Sequence, residues 1–162
     1  MSYRKEFEKV LRALVQAVQE IYGERLVSLA VFGSVARGTP RSDSDIDLLL
    51  VAEDLPRGRM KRMAEFAKVE EKIQPLLDRL RHIKTDLSPV IKEKSEVLEG
   101  SLLLLDMVGE AKIYYDKDSF LSSCLRDLGE RLARLGARKV YRGGAWYWVL
   151  KEDYRPGEKI EI

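Results

Sequence analysis

Val31-Phe32-Gly33-Ser34-Val35-Ala36-Arg37-Gly38-Thr39-Pro40-Arg41-Ser42-Asp43-Ser44-Asp45-Ile46-Asp47-Leu48-Leu49-Leu50-Val51 is the stretch around which the rest of the chain is read. Its first residues close a compact apolar run, Leu26 to Phe32, which has the pattern of a buried strand ending at Gly33. Ser34 to Gly38 read as a short helical turn. Gly33 permits close backbone approach, the free N–H groups of the turn face outward, and the Ser34 hydroxyl adds a donor, so this corner suits an anionic phosphate. Arg37 and Arg41 are the candidate cations to steer that phosphate, with pairing to surface acids as the alternative for each. Asp45 to Val51 reads as a second strand. At strand spacing the carboxylates of Asp45 and Asp47 leave one face, while Ile46, Leu48 and Leu50 point to the other and into the core.

Two carboxylates side by side repel each other and lose hydration, a conflict that a hard divalent cation resolves. Mg²⁺ takes oxygen ligands, keeps several waters, and is usually held by one or two carboxylates together with substrate phosphates. The phosphate corner and the acid pair are therefore two halves of one nucleoside-triphosphate site. A third acid would complete a two-metal arrangement for in-line displacement at phosphorus. The best candidate is Asp86: in Ile83-Lys84-Thr85-Asp86-Leu87 the residues Ile83, Thr85 and Leu87 share a face and Asp86 takes the opposite one. Asp78 falls on a helical pattern. Asp43 is a weaker partner for Asp45, because Ser44 would then fill the core-facing slot that suits Ile46.

The run from Gly33 to Val51 resembles the signature of the DNA polymerase beta-like nucleotidyltransferase superfamily, and more narrowly its small stand-alone minimal nucleotidyltransferases of archaea and bacteria. Phe32-Gly33-Ser34 and Asp45-Ile46-Asp47-Leu48 match position by position, and Ala36-Arg37-Gly38 and Ser44-Asp45 match as well. The resemblance covers roughly residues 5–115. It implies that Gly33 and Ser34 hold the triphosphate, that Asp45 and Asp47 bind two Mg²⁺ ions, and that Asp86 binds the catalytic metal and helps activate an acceptor hydroxyl. The implied reaction is attack of that hydroxyl on the α-phosphate of an NTP, ATP foremost, with pyrophosphate leaving. The family's acceptors include RNA ends, antibiotics and protein side chains. Small relatives often act beside a separately encoded HEPN-type protein, as antitoxin, in some cases nucleotidylating a tyrosine on it. The alternative reading is a catalytically weak antitoxin or binding module that uses the same fold to hold a partner protein.

The 162 residues suit one domain with an appendage, and a 45% hydrophobic fraction supports a core that folds unaided. The formal net charge of +2 excludes a uniformly basic nucleic-acid binder, so any phosphate site is local. One cysteine, Cys124, builds neither a disulfide framework nor a Cys-rich zinc site. The opening residues Met1 to Glu6 carry no apolar signal region, and no apolar stretch approaches the ~18 residues of a membrane span, so a cytoplasmic protein is expected. Asn is absent and Gln occurs only at positions 16, 19 and 74, against dense charge of both signs, a composition that fits a heat-adapted source.

Along the chain, Phe7, Val10, Leu11, Leu14, Val18 and Ile21 recur at helical spacing over Tyr3–Tyr22. A long helix is expected from about Arg57 to Arg81, with Met60, Met63, Ala64, Ala67, Ile73, Leu76, Leu77 and Leu80 as its apolar side and Pro75 as a kink or break. Ile83–Val90 reads as a third strand whose Pro89 marks an end or a sheet edge. Two helical pieces over Lys94–Gly109 precede a strand at Ala111–Tyr115. A helix over Ser119–Leu135 leads to a hairpin whose strands flank Arg142-Gly143-Gly144. The class is α+β: a small mixed sheet with helices packed on it, plus a C-terminal helix and β-hairpin. The expected division is a catalytic domain at 1–117 and an appendage at 118–162. Trp146 and Trp148 share one hairpin face, which reads first as a seal onto the domain and second as a stacking platform for RNA, the least favoured function. His82, the lone histidine, makes no ligand cluster.

Overall fold

A long amphipathic helix, α1 (Ser2–Tyr22), delivers the chain through a single 3₁₀ turn into the first strand of the sheet. The computed structural model describes residues 2–100, 102–142, 145–151 and 153–160. The elements that follow are β1 (Leu26–Phe32), α2 (Gly33–Arg37), β2 (Ile46–Ala52), α3 (Arg59–Leu77), β3 (Leu87–Lys92), α4 (Lys94–Leu98), α5 (Leu103–Met107), β4 (Lys112–Asp116), α6 (Phe120–Arg134), β5 (Arg138–Arg142) and β6 (Ala145–Val149). Four strands form one sheet in the order β3-β2-β1-β4; β1 is antiparallel to β2 and β4, and β2 is parallel to β3. β5 and β6 form a separate antiparallel hairpin. The class is mixed α+β, with the C-terminal helix and hairpin in place.

Both faces of the two central strands are covered, which is why β1 and β2 read as continuous apolar runs. On the first face, Leu26, Leu29, Val31, Ile46, Leu48 and Leu50 pack against α1 and α3 through Phe7, Val10, Leu14, Val18, Phe66, Val69 and Ile73. On the second face, Val27, Ala30, Leu49 and Val51 pack against Val97 of α4, Leu104, Leu105 and Met107 of α5, and Leu121, Leu128 and Leu132 of α6, with Trp148 of the hairpin at the margin. Residues of α6 and of the hairpin therefore share a core with the sheet.

Three expectations need correction. The strand at Ile83–Val90 begins at Leu87 and runs to Lys92. Residues 83–86 are tied to a neighbouring loop instead: Lys84 N–H donates to Ser42 O at 2.8 Å and Thr85 Oγ1 to Ser44 O at 2.7 Å. Pro89 lies inside β3, which a sheet edge tolerates because no second neighbour needs its missing N–H. Pro75 does not split α3; it falls in the last turn, so a kink there displaces only Leu76 and Leu77. Met60 and Ala64 are exposed, and the buried stripe of α3 is Phe66, Val69 and Ile73.

Candidate active site

The antiparallel turn from β1 to β2 places Phe32 opposite Asp47, so the end of the first strand and the start of the second meet at Gly33. Gly33 has φ +74, and a Cβ built on it would stand 2.3 Å from Asp47 Oδ2. Any side chain there would displace the Asp47 carboxylate and hold a strained backbone as well. The glycine thus serves the acid directly, packing the backbone of the corner against it. Ser34, half-buried in the first turn of α2, makes no side-chain hydrogen bond among the described residues, so its hydroxyl is available to a ligand. The turn closes at Gly38, whose left-handed φ of +76 lets its N–H reach back to Val35 O at 3.2 Å.

The parallel register pairs Ile46 with Leu87 and Asp47 with Ser88. Asp45 and Asp86 each stand immediately before the first of these pairs, and Ile46 N–H donates to Asp86 O at 2.9 Å. Residues paired across a ladder share a face, so Asp45, Asp47, Asp86 and Ser88 all belong to the second face of the sheet. Asp45 and Asp86 are exposed and Asp47 is half-buried. Burial pushes the Asp47 carboxyl above its ordinary value, and the negative charge of Asp45 pushes it further; the Arg37 guanidinium and a hydrogen bond from Ser88 oppose both. A carboxylate held in this way lacks a positive partner of sufficient charge, and a divalent cation would supply one. Among the described residues no group of three or more His, Cys, Asp or Glu side chains is gathered to hold a metal ion by itself. Asp45 and Asp47 could serve a cation that takes one or two carboxylates and completes its shell with water and substrate phosphate.

Arg37, at the end of α2, reaches Glu110, with Nη1 3.5 Å from Oε2. A family model described as "Nucleotidyltransferase domain" matches residues 11–114, which include the whole of the corner and all three acids. The chain belongs to that family.

This nucleotidyltransferase is 30% identical over 133 residues to a Methanocaldococcus jannaschii protein provisionally named a protein adenylyltransferase, an overlap of 81% of this chain and 86% of that one. It is 34% identical over 73 residues to the protein adenylyltransferase MntA of Thermococcus cleftensis, covering 45% of this chain and 67% of the relative. Among solved structures it resembles the spectinomycin adenyltransferase AAD(9) of Enterococcus faecialis in fold, with a TM-score of 0.50 at 14% identity over 78% of this chain and 67% of the other. No helix among the described residues is long and apolar enough to cross a membrane.

Several residues around the site of this nucleotidyltransferase carry no sequence signal of their own. Glu6, on α1, accepts the backbone N–H groups of Arg81, His82 and Ile83 at 3.0, 2.9 and 3.0 Å and so holds the segment that leads to Asp86. Those bonds, that of Arg81 foremost, draw its carboxyl below the usual range. His82 pairs only with the same glutamate, at 3.4 Å. Thr85, Ser88 and Glu110 likewise meet the site through folding alone. On the hairpin, Trp148 Nε1 donates to Leu105 O at 3.2 Å, which makes that face a seal onto the domain.

Proposed function

We propose that this nucleotidyltransferase moves AMP from ATP to a hydroxyl of a protein acceptor in a Mg²⁺-dependent reaction that releases pyrophosphate. The observation that carries the reading is the contact of the Asp47 carboxylate with Gly33: it makes the acid pair and the phosphate corner a single site. Asp45 and Asp47 would hold the metal, with Asp86 completing the set from just before the edge strand, and two Mg²⁺ ions fit the two-metal pattern of such transfers. Bound there, Mg²⁺ supplies charge stabilisation for the attacking and leaving oxygens and orients the phosphates. The backbone at Gly33 and the Ser34 hydroxyl bind the triphosphate. Arg37 would orient it from the rim, and the carboxylate of Asp86 would accept the proton of the acceptor hydroxyl.

The names of the two archaeal relatives support a protein acceptor. A HEPN-type protein encoded alongside, with this chain as its antitoxin, is the partner that the minimal nucleotidyltransferase resemblance suggests. The test is incubation with α-labelled ATP, Mg²⁺ and the purified neighbouring gene product, with unrelated proteins, RNA and an aminoglycoside as competing acceptors. Label transferred to the partner, lost on adding EDTA and in Asp45→Asn, supports the reading. Label on RNA or on the antibiotic alone overturns the acceptor. Tight partner binding with no transfer favours the binding module.

A further inference from the structure

The family match ends at Tyr114, and the hairpin lies beyond it. One chain of charges crosses that boundary. Lys139 of β5 donates to Glu110 Oε1 at 2.6 Å, and both side chains are largely shielded, at 13% and 16% exposure. Glu110 Oε2 is buried without a hydrogen-bond partner, with Arg37 Nη1 at 3.5 Å, an ion-pair distance too long for a good hydrogen bond. Arg37 is itself 36% exposed, and its charge is also felt at Asp47. The Lys139 ammonium also lies 3.9 Å from the centre of the Trp146 ring, so one cation joins the aromatic face of the hairpin to the glutamate.

We propose that Glu110 and Lys139 are positioning residues that set the place of Arg37 beside the acid pair and couple docking of the C-terminal hairpin to nucleotide binding. Glu110 has one oxygen committed to the hairpin and one shared with the site helix. With Lys139 holding Glu110 at one oxygen, the other oxygen keeps Arg37 where triphosphate meets it. Triphosphate bound to Arg37 in turn steadies Glu110 and the hairpin beyond it. Binding linkage makes the effect reciprocal: a docked hairpin leaves Arg37 aligned for phosphate. Opposed charges at this degree of burial are not screened as surface pairs are, so removing one of them is felt at the other.

The inference rests on the nucleotide site proposed above, and the test separates the two. Both tryptophans of the chain, Trp146 and Trp148, lie in the hairpin, so their emission reports its docking. The full-length protein is titrated with ATP and Mg²⁺ by calorimetry and by tryptophan emission. In the wild type, ATP binds and shifts the emission. In Glu110→Gln and Lys139→Met the affinity falls about fivefold or more and the emission change is lost, while Lys139→Arg restores both. In an Arg37→Ala background, Glu110→Gln weakens binding by less than about twofold, because its route to the phosphate is gone. Lys139→Gln replaces Lys139→Met if the latter does not fold. Wild-type binding with unchanged affinity in Glu110→Gln and Lys139→Met overturns the coupling and leaves the site standing, as do full independent losses in the Arg37→Ala background. Absence of ATP binding to the wild type overturns both.

Discussion

On the first face of the sheet, two long helices lay Phe7, Val10, Leu14 and Val18 from one side and Phe66, Val69 and Ile73 from the other over the central strands. On the second face, three shorter helices and a hairpin cover the same strands, and charged and polar groups intrude. There Ser28, fully buried, donates to Asp116 at 2.6 Å, Lys139 pairs with Glu110, and Asp47 emerges at the strand start. The difference assigns two tasks to one sheet. The first face carries the larger apolar core. The second adds discrete polar contacts to a smaller one and stops short at the starts of β2 and β3, where Asp45 and Asp86 are exposed.

The largest effect expected from this contrast is catalytic. Asp47→Asn should cut nucleotidyl transfer by about 10²–10³-fold or more, judged by removal of single electrostatic groups in other active sites. Its thermal midpoint should not fall, because the amide relieves a half-buried charge that lies next to Asp45. A clear loss of stability in this variant would mean that the acid is a structural member of the second face. Phe66→Ala should cost about 3–5 kcal/mol in denaturant unfolding. Leu128→Ala, at the rim of the second core, should fall near the lower end of the about 2–5 kcal/mol range for such truncations. Equal costs at the two positions would break the division of tasks.

Gly33→Ala tests the junction between the faces. The added Cβ meets Asp47 Oδ2 and must adopt a left-handed φ, so stability should fall by about 1–3 kcal/mol, and transfer should be lost well beyond what that fall explains. The smallest effect is a pH dependence. Burial alone would raise the Asp116 carboxyl, but the Ser28 hydroxyl and the N–H groups of Ser122 and Leu121 outweigh it and hold the group below its ordinary 3.8. A depressed carboxyl stabilises the fold above its unfolded value, and that contribution disappears as pH falls through the lower, folded value. Thermal midpoints measured from pH 6 down to about pH 2 should therefore show an acid-side decline that is shallower in Asp116→Asn, which has no charge to lose.

Much of this was legible from the residues alone. The β1–turn–β2 segment could be read because burial on both faces leaves an uninterrupted apolar run, and because acid–apolar–acid alternation breaks it at one end only. α1 declared itself by periodicity. The third strand misled, because Ile83, Thr85 and Asp86 do alternate between buried and exposed while their hydrogen bonds go to a loop. Several faces of α3 carry apolar residues, so spacing alone favours Met60 as readily as Phe66 and Val69, the ones that packing buries. Glu6 and Glu110 gave no signal, being acids among many on polar faces.

Local order decided what could be recognised: a glycine corner, two carboxylates at strand spacing, and a family signature all lie within one short stretch whose chemistry depends on neighbours in the chain. Tertiary structure decided what comes to meet that stretch. The parallel pairing of β2 with β3 brings Asp86 and Ser88 onto the face of Asp47, and the return of the C-terminal hairpin brings Lys139 to Glu110 and so to Arg37. These are contacts across long sequence separations, set by strand register and by which sheet face needs covering, and no local pattern of residues encodes either.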